Sequence, residues 1–158
     1  LNQVRSLSID LRPLLLDDLG LVATLRWFVS CQSQLGRFTI RFTADPDKVN
    51  LANEVETACF RIVQEAITNI IRHSRAKKVN VEIMQPEKEL LLLVRDDGIG
   101  FDVDEAQKRS AQGLSMGLLG IRERVALLEG EIEIESVSSY GTEIRVRFPL
   151  PRTSGPLA

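Results

Sequence analysis

The chain has 158 residues with 20 Lys+Arg against 22 Asp+Glu, a formal charge of −2 and a single His. That length suggests one domain, and 44% hydrophobic with 27% charged residues is a globular composition that excludes wholesale disorder. The near-neutral charge speaks against a general nucleic-acid binder, and one His excludes a multi-His metal centre. Cys31 and Cys59 form no C-x-x-C pair, so neither zinc nor a disulfide framework is indicated; they read as two reduced thiols of a cytosolic protein. No stretch approaches the roughly 18–20 apolar residues of a membrane span, and no signal-peptide pattern opens the chain.

Residues 1–11 carry Leu1, Val4, Leu7 and Leu11 at helical spacing, the tail of an amphipathic helix. A chain that opens in mid-pattern without Met reads as a fragment of something longer. Pro13 stops that helix, and 11–20 is expected to be a turn-rich apolar connector. A helix over about 20–35 follows, with Leu21, Leu25, Phe28 and Val29 on one side and Gly36 as its stop. Residues 38–43 alternate with period two, a half-buried strand, and Asp45-Pro46-Asp47 is a turn. Asn53 is expected to cap a long helix running to about His73, with Glu54 and Glu56 in its first turn.

Two strands come next, Val79-Val81-Ile83 and the continuous apolar run 90–94, which suggests a strand covered on both faces or at least a central one. Residues 96–117, rich in Gly, Asp, Gln and Ser, read as a mobile loop. A helix over 118–128 is closed by Gly130. A hairpin over 131–148 then places Ile144, Val146 and Phe148 on one face, and 149–158 reads as a frayed tail. This order gives an α+β fold: a mixed, mainly antiparallel sheet with helices gathered on one face.

Four places could carry chemistry. On the long helix, advancing about 100° per residue puts Val55, Cys59, Ile62, Ala66 and Ile70 on one apolar stripe. Glu65, Asn69 and Arg72 fall together at its edge, with His73 between the two sets. Taken alone, this is equally a solvated flank with a polar i,i+4 pair, and His73 a cation at the helix end. Directly after the apolar strand, Asp96-Asp97-Gly98-Ile99-Gly100 offers a carboxylate that could accept from an exocyclic amine, beside glycines that let a flat ligand approach. It is also an ordinary turn composition, and its spacing is not that of an EF-hand. Gly117-Leu118-Leu119-Gly120 opens a helix, a recipe for holding phosphate through free N–H groups and the helix dipole. No Walker A Lys follows it, and the H-R-D and D-F-G elements of eukaryotic kinases are absent. Gly141-Thr142, at the hairpin turn, is the fourth.

In this order the four elements resemble the GHKL ATPase superfamily, which joins gyrase B, Hsp90, MutL and the histidine kinases through the Bergerat two-layer ATP-binding fold. The residues that carry the likeness are Glu65-Ala-Ile-Thr-Asn69-Ile-Ile-Arg72-His73, Asp96-Asp-Gly98-Ile99-Gly100, Gly117-Leu118-Leu-Gly120 and Gly141-Thr142. Within the superfamily the chain is most similar to bacterial sensor histidine kinases of the NarX, DesK and VraS type. Residues 11–21 resemble the exit from their dimerisation helices, and 121–130 the helix after their ATP lid.

The resemblance implies 1–20 as the end of a dimerisation helix and linker, 21–149 as the ATP-binding catalytic domain, and 150–158 as a flexible tail. It implies ATP and Mg²⁺ as cofactors, with Asn69 as the metal ligand and Glu65 as the catalytic carboxylate. Arg72 and His73 would approach the phosphates, Asp96 would accept from the adenine amine, and Gly98, Ile99 and Gly100 would line the ring. Residues 103–116 would form the lid, Gly117, Leu118 and Gly120 would meet phosphate, and Thr142 would lie beside Asp96. A departure from the family pattern is Ser115 where Gly is common, which puts the lid's detailed phosphate contacts in doubt.

The implied reaction moves the γ-phosphoryl of ATP to a His upstream of Leu1, for relay to a response regulator. The fragment is expected to be a cytoplasmic monomer that does not autophosphorylate, and the full-length kinase a homodimer whose missing N-terminal region could anchor it to a membrane. Competing expectations are an anti-sigma-factor-type serine kinase, which would not need the segment 11–21, and a non-catalytic nucleotide-responsive docking module, which would not need intact Glu65 and Asn69.

Overall fold

The computed structural model describes residues 12–35, 38–112 and 117–150. The expected helix over 1–11, the stop at Gly36, the lid position Ser115 and the tail beyond 150 lie outside these residues.

Five strands form one sheet in the order β1-β2-β3-β5-β4: β1 (Thr39–Asp45), β2 (Lys78–Met84), β3 (Glu89–Asp96), β4 (Glu131–Val137) and β5 (Gly141–Pro149). The β1–β2 pair is parallel, because the long helix and its exit cross between them, and the other three pairs are antiparallel. The sheet is therefore mixed and mainly antiparallel.

The two-residue alternation decides which face is covered. Val79, Val81 and Ile83 of β2, Leu90, Leu92 and Val94 of β3, and Ile144, Val146 and Phe148 of β5 all point into one core. The run 90–94 is thus a central strand with one covered face, for Leu91 and Leu93 remain only half-buried on the other. On that open face Arg145 and Arg147 pair with Glu133 of the edge strand.

Helix α1 (Arg12–Gln34) and helix α2 (Asn53–Asn69) contribute Leu21, Leu25, Phe28, Cys59, Ile62, Val63 and Ala66 to the same core, and the Phe28 and Phe60 rings meet edge to face at 5.4 Å. The segment 12–20 is helical, not the expected turn-rich connector. Its apolar residues belong to a helix interrupted at Gly20 (φ 76°, ψ 174°), a left-handed backbone that glycine adopts without Cβ strain. Thr24 Oγ1 donates across the break to the carbonyls of Gly20 (2.8 Å) and Leu15 (3.1 Å), and Leu21 N–H donates to Glu56 Oε1 (3.4 Å). Leu16 and Leu21, either side of the break, share the core. Burial pushes Glu56 above the usual carboxylate range, with the Leu21 hydrogen bond pulling it down and the Asp17 charge adding to the rise.

The cap of α2 is Ala52, with no side-chain cap hydrogen bond; Asn53 is the first helical residue rather than the cap. Residues 96–117 are not one loop. They contain helix α3 (Val103–Ala111), started by Asp102, whose Oδ1 accepts from Glu105 N–H at 2.9 Å. Helix α4 (Gly117–Leu127) packs on α2 and buries Ile121 and Val125. Both cysteines are free, Cys59 fully buried and its thiol pushed up by desolvation.

Candidate nucleotide site

The long helix does not end as an α-helix. Its last residues, Ile70–Ser74, wind as a π turn, a widened turn found mostly at functional sites. Each residue there advances through a smaller angle than in an α-helix. His73 therefore stays on the side of Asn69, while Arg72 swings away. His73 lines the cavity described below; Arg72 is solvent-exposed and is not part of its wall.

The π turn also delivers Ser74 to the end of β3. Ile99 N–H donates to the Ser74 carbonyl at 2.7 Å, Ala76 N–H donates to Ser74 Oγ at 3.0 Å, and the Ser74 hydroxyl donates to the Asp96 carboxylate. Asp96 is 5% exposed, and its Oδ1 also accepts Gly98 N–H at 2.8 Å. Desolvation by burial is the main reason its pKa lies above the usual carboxylate range; the Gly98 and Ser74 hydrogen bonds pull it down, and the neighbouring Asp97 pushes it up. Asp97 faces the other way. Its Oδ1 accepts the backbone N–H groups of Lys77 (2.8 Å) and Lys78 (2.9 Å), which holds its pKa low and pins the start of β2.

No side chain larger than hydrogen fits at residue 98, where a Cβ would lie 2.5 Å from Ser74 Oγ and 2.7 Å from Asp96 Oδ1. Gly100 has φ 66° and sits against the Val137 carbonyl.

Around Asp96 opens a cavity of about 490 Å³, within the range of small-molecule sites. Ala66, Ile70, Val94 and Ile144 form an apolar floor. Ile99, Gly100 and Phe101 form one wall, and Ala106 and Arg109 of α3 with Leu118 of α4 form the other. Asn69, His73, Asp96 and Thr142 present polar groups.

Of the residues singled out in the sequence, Asn69, His73, Asp96, Ile99, Gly100, Leu118 and Thr142 line this cavity. Gly98 stands behind Asp96, buried against Ser74. Glu65 is half-buried and does not line the cavity, yet it sits at its rim: a Cβ on Gly117 would strike its carboxylate and come within 3.4 Å of Asn69 Nδ2. Gly117, the first described residue of α4, thus abuts Glu65 and Asn69. Gly120 is one turn in and has open space around it.

Ser74, Phe101 and Arg109 also line the cavity and are not legible as site residues in the sequence. Ser74 follows His73 directly, one position beyond the motif that ends there. Arg109 sits in a stretch of loop-like composition, although Asp102-x-x-Glu105 is a helix-start signal.

A family model described as histidine kinase-, DNA gyrase B- and HSP90-like ATPase matches residues 54–152, more than half of the chain. The chain belongs to this ATPase family. Among its relatives, a signal transduction histidine-protein kinase/phosphatase DegS of Bacillus subtilis is 39% identical over 142 residues, 88% of this chain and 36% of the relative. A sensor-like histidine kinase of Chloroflexus aurantiacus is 36% identical over 151 residues, 94% of this chain and 25% of the relative. The chain thus spans about a third or less of these two relatives' length. In fold it is similar to a blue-light activated histidine kinase of Erythrobacter litoralis, with a TM-score of 0.74 at 23% identity over 96% of this chain and 51% of that one. The histidine kinase domain of that protein gives 0.69 at 24% identity over 82% of this chain and 61% of that one. No helix among the described residues is long and apolar enough to cross a membrane.

Proposed function

We propose that the chain is the phosphoryl-donating ATP domain of a sensor histidine kinase, with residues 21–149 as the catalytic domain. The observation that carries this reading is the polarity of the cavity. A buried carboxylate, Asp96, closes one end among apolar walls, and the N-terminal turn of α4 meets Glu65 and Asn69 at the other. A nucleotide has the same polarity: a flat base with an exocyclic amine, then a run of negative charge.

In this reading Asp96 accepts from the adenine amine, with Thr142 beside it. Ile99, Gly100, Ile70 and Val94 enclose the ring. The phosphates lie towards Asn69, His73, Leu118 and the amides of Gly117 and Gly120, where the helix dipole favours negative charge. Arg109 contributes a cation from α3, and Arg72 flanks the mouth from the exposed side of the π turn.

Asn69 fits Mg²⁺, which binds few protein ligands and keeps water and phosphate oxygens. Among the described residues no cluster of three or more His, Cys, Asp or Glu competes for a metal. When bound, the ion neutralises charge developing on the phosphates.

Glu65 holds the accepting imidazole and receives its N–H proton as the γ-phosphoryl leaves the β–γ bridging oxygen for the ring nitrogen and ADP departs. The acceptor His belongs to a dimerisation domain upstream of Leu1, and a response regulator takes the group onward. The whole kinase is a homodimer; this chain by itself is a cytoplasmic monomer.

The test is transfer from labelled ATP to a separately supplied upstream helix pair carrying a His. Glu65→Gln is expected to keep ATP affinity within a factor of about two and to lower transfer by about 10²–10⁴-fold. Acid-labile label on the isolated chain, or transfer undiminished in Glu65→Gln, would refute this assignment.

A further inference from the structure

Helices α2 and α4 pack on each other with their chains antiparallel. Gly117, at the start of α4, abuts Glu65 and Asn69 near the end of α2, and Arg124, two turns on, stands near Arg61, one turn before Glu65. Advancing about 100° per residue puts Gly117, Gly120, Arg124 and Leu127 within about 80° on one flank of α4. Arg61, Glu65 and Thr68 fall within about 60° on the flank of α2 beside it. The two flanks make a shelf along the outside of the helical layer. Its floor is bare, for a Cβ on Gly120 would meet nothing within 4 Å among the described residues. Leu127 stands 83% exposed at its far end. Thr68 turns its hydroxyl back to the Gln64 carbonyl at 2.8 Å. The shelf thus offers a partner the Glu65 carboxylate and, one turn away, two guanidinium groups.

Those two groups are not neutralised within the chain. Arg61 is half-buried and donates to Gln64 Oε1 at 2.9 Å, an uncharged partner. Among the described residues neither Arg61 nor Arg124 has a carboxylate within ion-pair distance. Burial, and then the Arg124 charge, hold the Arg61 guanidinium below the usual arginine range. Like charges drawn together by helix packing repel in the free chain and become favourable once a carboxylate meets both. The phosphates of a nucleotide are badly placed to be that anion. Arg61 precedes Asn69 by two turns, about 12 Å along the helix, and neither arginine lines the cavity.

We infer that Arg61 and Arg124 are positioning residues for phosphoryl transfer: together they hold a carboxylate on the helix that carries the acceptor His, and so seat that His against Glu65. On a helix lying along the shelf, a side chain opposite the arginines stands about 6 Å from one opposite Glu65, which places the carboxylate three or four residues from the His. That helix comes close over Gly117 and Gly120, where no side chain keeps it away, and meets Leu127 with an apolar residue. The inference rests on the phosphoryl-donor reading above.

The experiment uses the full-length kinase and labelled ATP, with the initial rate of acid-labile labelling read over a range of ATP concentrations. Arg61→Glu combined with Arg124→Glu is expected to lower the maximal rate at least about tenfold, with the KM for ATP held within about a factor of two. Arg61→Lys combined with Arg124→Lys keeps the charges and is expected to stay within about threefold of wild type. Added salt is expected to slow the wild type and to spare the double glutamate variant, whose attraction is already gone. Lys is then placed, one position at a time, at the acidic residues three and four positions either side of the acceptor His. One such change is expected to slow the wild type and to speed the double glutamate variant, an exchange of charge that a merely structural role would not produce. Should the double variant fail to fold, Arg124→Gln, at an exposed position, carries the same direction of change.

A double glutamate variant that labels at the wild-type rate, one whose loss lies wholly in the KM for ATP, or one that no exchange of charge restores, overturns this inference and leaves the phosphoryl-donor reading intact. A wild-type kinase that gains no acid-labile label overturns that reading itself.

Discussion

Replacing Asp96 by Asn separates binding from folding at a single oxygen. The carboxylate is 5% exposed, accepts Gly98 N–H at 2.8 Å and is further bonded by the Ser74 hydroxyl. Asn keeps the shape and one acceptor, which suffices for the Gly98 amide, but turns an N–H₂ towards Ser74 or the cavity. A hydrogen bond to a charged acceptor is worth about 1.5–3 kcal/mol, so ATP affinity should fall by about 10- to 150-fold.

Stability should move differently. Burial raises the folded pKa of Asp96 above its unfolded value, so the ionised form is a cost to the folded state. That cost appears as pH rises from the unfolded pKa through the folded one and is fully present at neutral pH. Asn carries no charge to desolvate, and the urea midpoint at neutral pH is expected to stay level or rise. Titration calorimetry and urea unfolding on the same samples give both numbers. Unchanged affinity, or affinity and stability falling together, would refute the reasoning.

The same carboxyl predicts a pH dependence. ATP binding should weaken as pH falls through the Asp96 pKa, starting at higher pH than for an exposed carboxylate. Asp97 supports that upward shift, while Gly98 and Ser74 oppose it. His73 and Arg109 face the same cavity, so the comparison belongs in a His73→Gln background; a slope that survives Asp96→Asn there would sink the assignment. Gly98→Ala forces a methyl against Ser74 and Asp96, and is expected to cost about 1–3 kcal/mol of stability and at least about tenfold in ATP affinity, read by the same two assays. Leu92→Ala, fully buried in the core, should cost about 2–5 kcal/mol in urea unfolding. Leu91→Ala, half-buried on the open face, should cost markedly less; equal losses would mean the covered face is misassigned.

What could be read in advance followed periodicity. The alternation in 79–83 and 144–148 named the inward residues of β2 and β5, and the 3.6-residue stripe Val55-Cys59-Ile62-Ala66-Ile70 named the core face of α2. The glycine and aspartate motifs were legible because few backbones tolerate a ligand or a carbonyl so close, as Gly98 and Gly100 show. Three features broke the periods on which such reading rests. Gly20 interrupts a helix without ending it, since Thr24 and Glu56 satisfy the groups exposed at the break. Helix α3 has a polar composition and, among its described side chains, buries only Ala106, so it carries too weak an apolar stripe to stand out from a loop. The π turn changes the angular step at Ile70, and a wheel drawn at a constant step groups Arg72 with Asn69 when the chain does not. Asn53 is a favourable cap by residue type, but the helix begins one residue earlier, with Ala52 at the cap position and no side-chain cap hydrogen bond.

That π turn closes the helix, and its wider winding sets where Ser74 arrives. Were the same five residues to wind as an ordinary α-helix, the core stripe of α2 would stay untouched. Every later side chain would then shift in phase, and the Ser74 carbonyl and hydroxyl would no longer reach Ile99 and Asp96. The domain could keep its sheet and its hydrophobic layer and still lose the closed end of its cavity. A change of winding over five residues, invisible to composition and almost invisible to hydrophobic pattern, is thus the difference between a scaffold and a site.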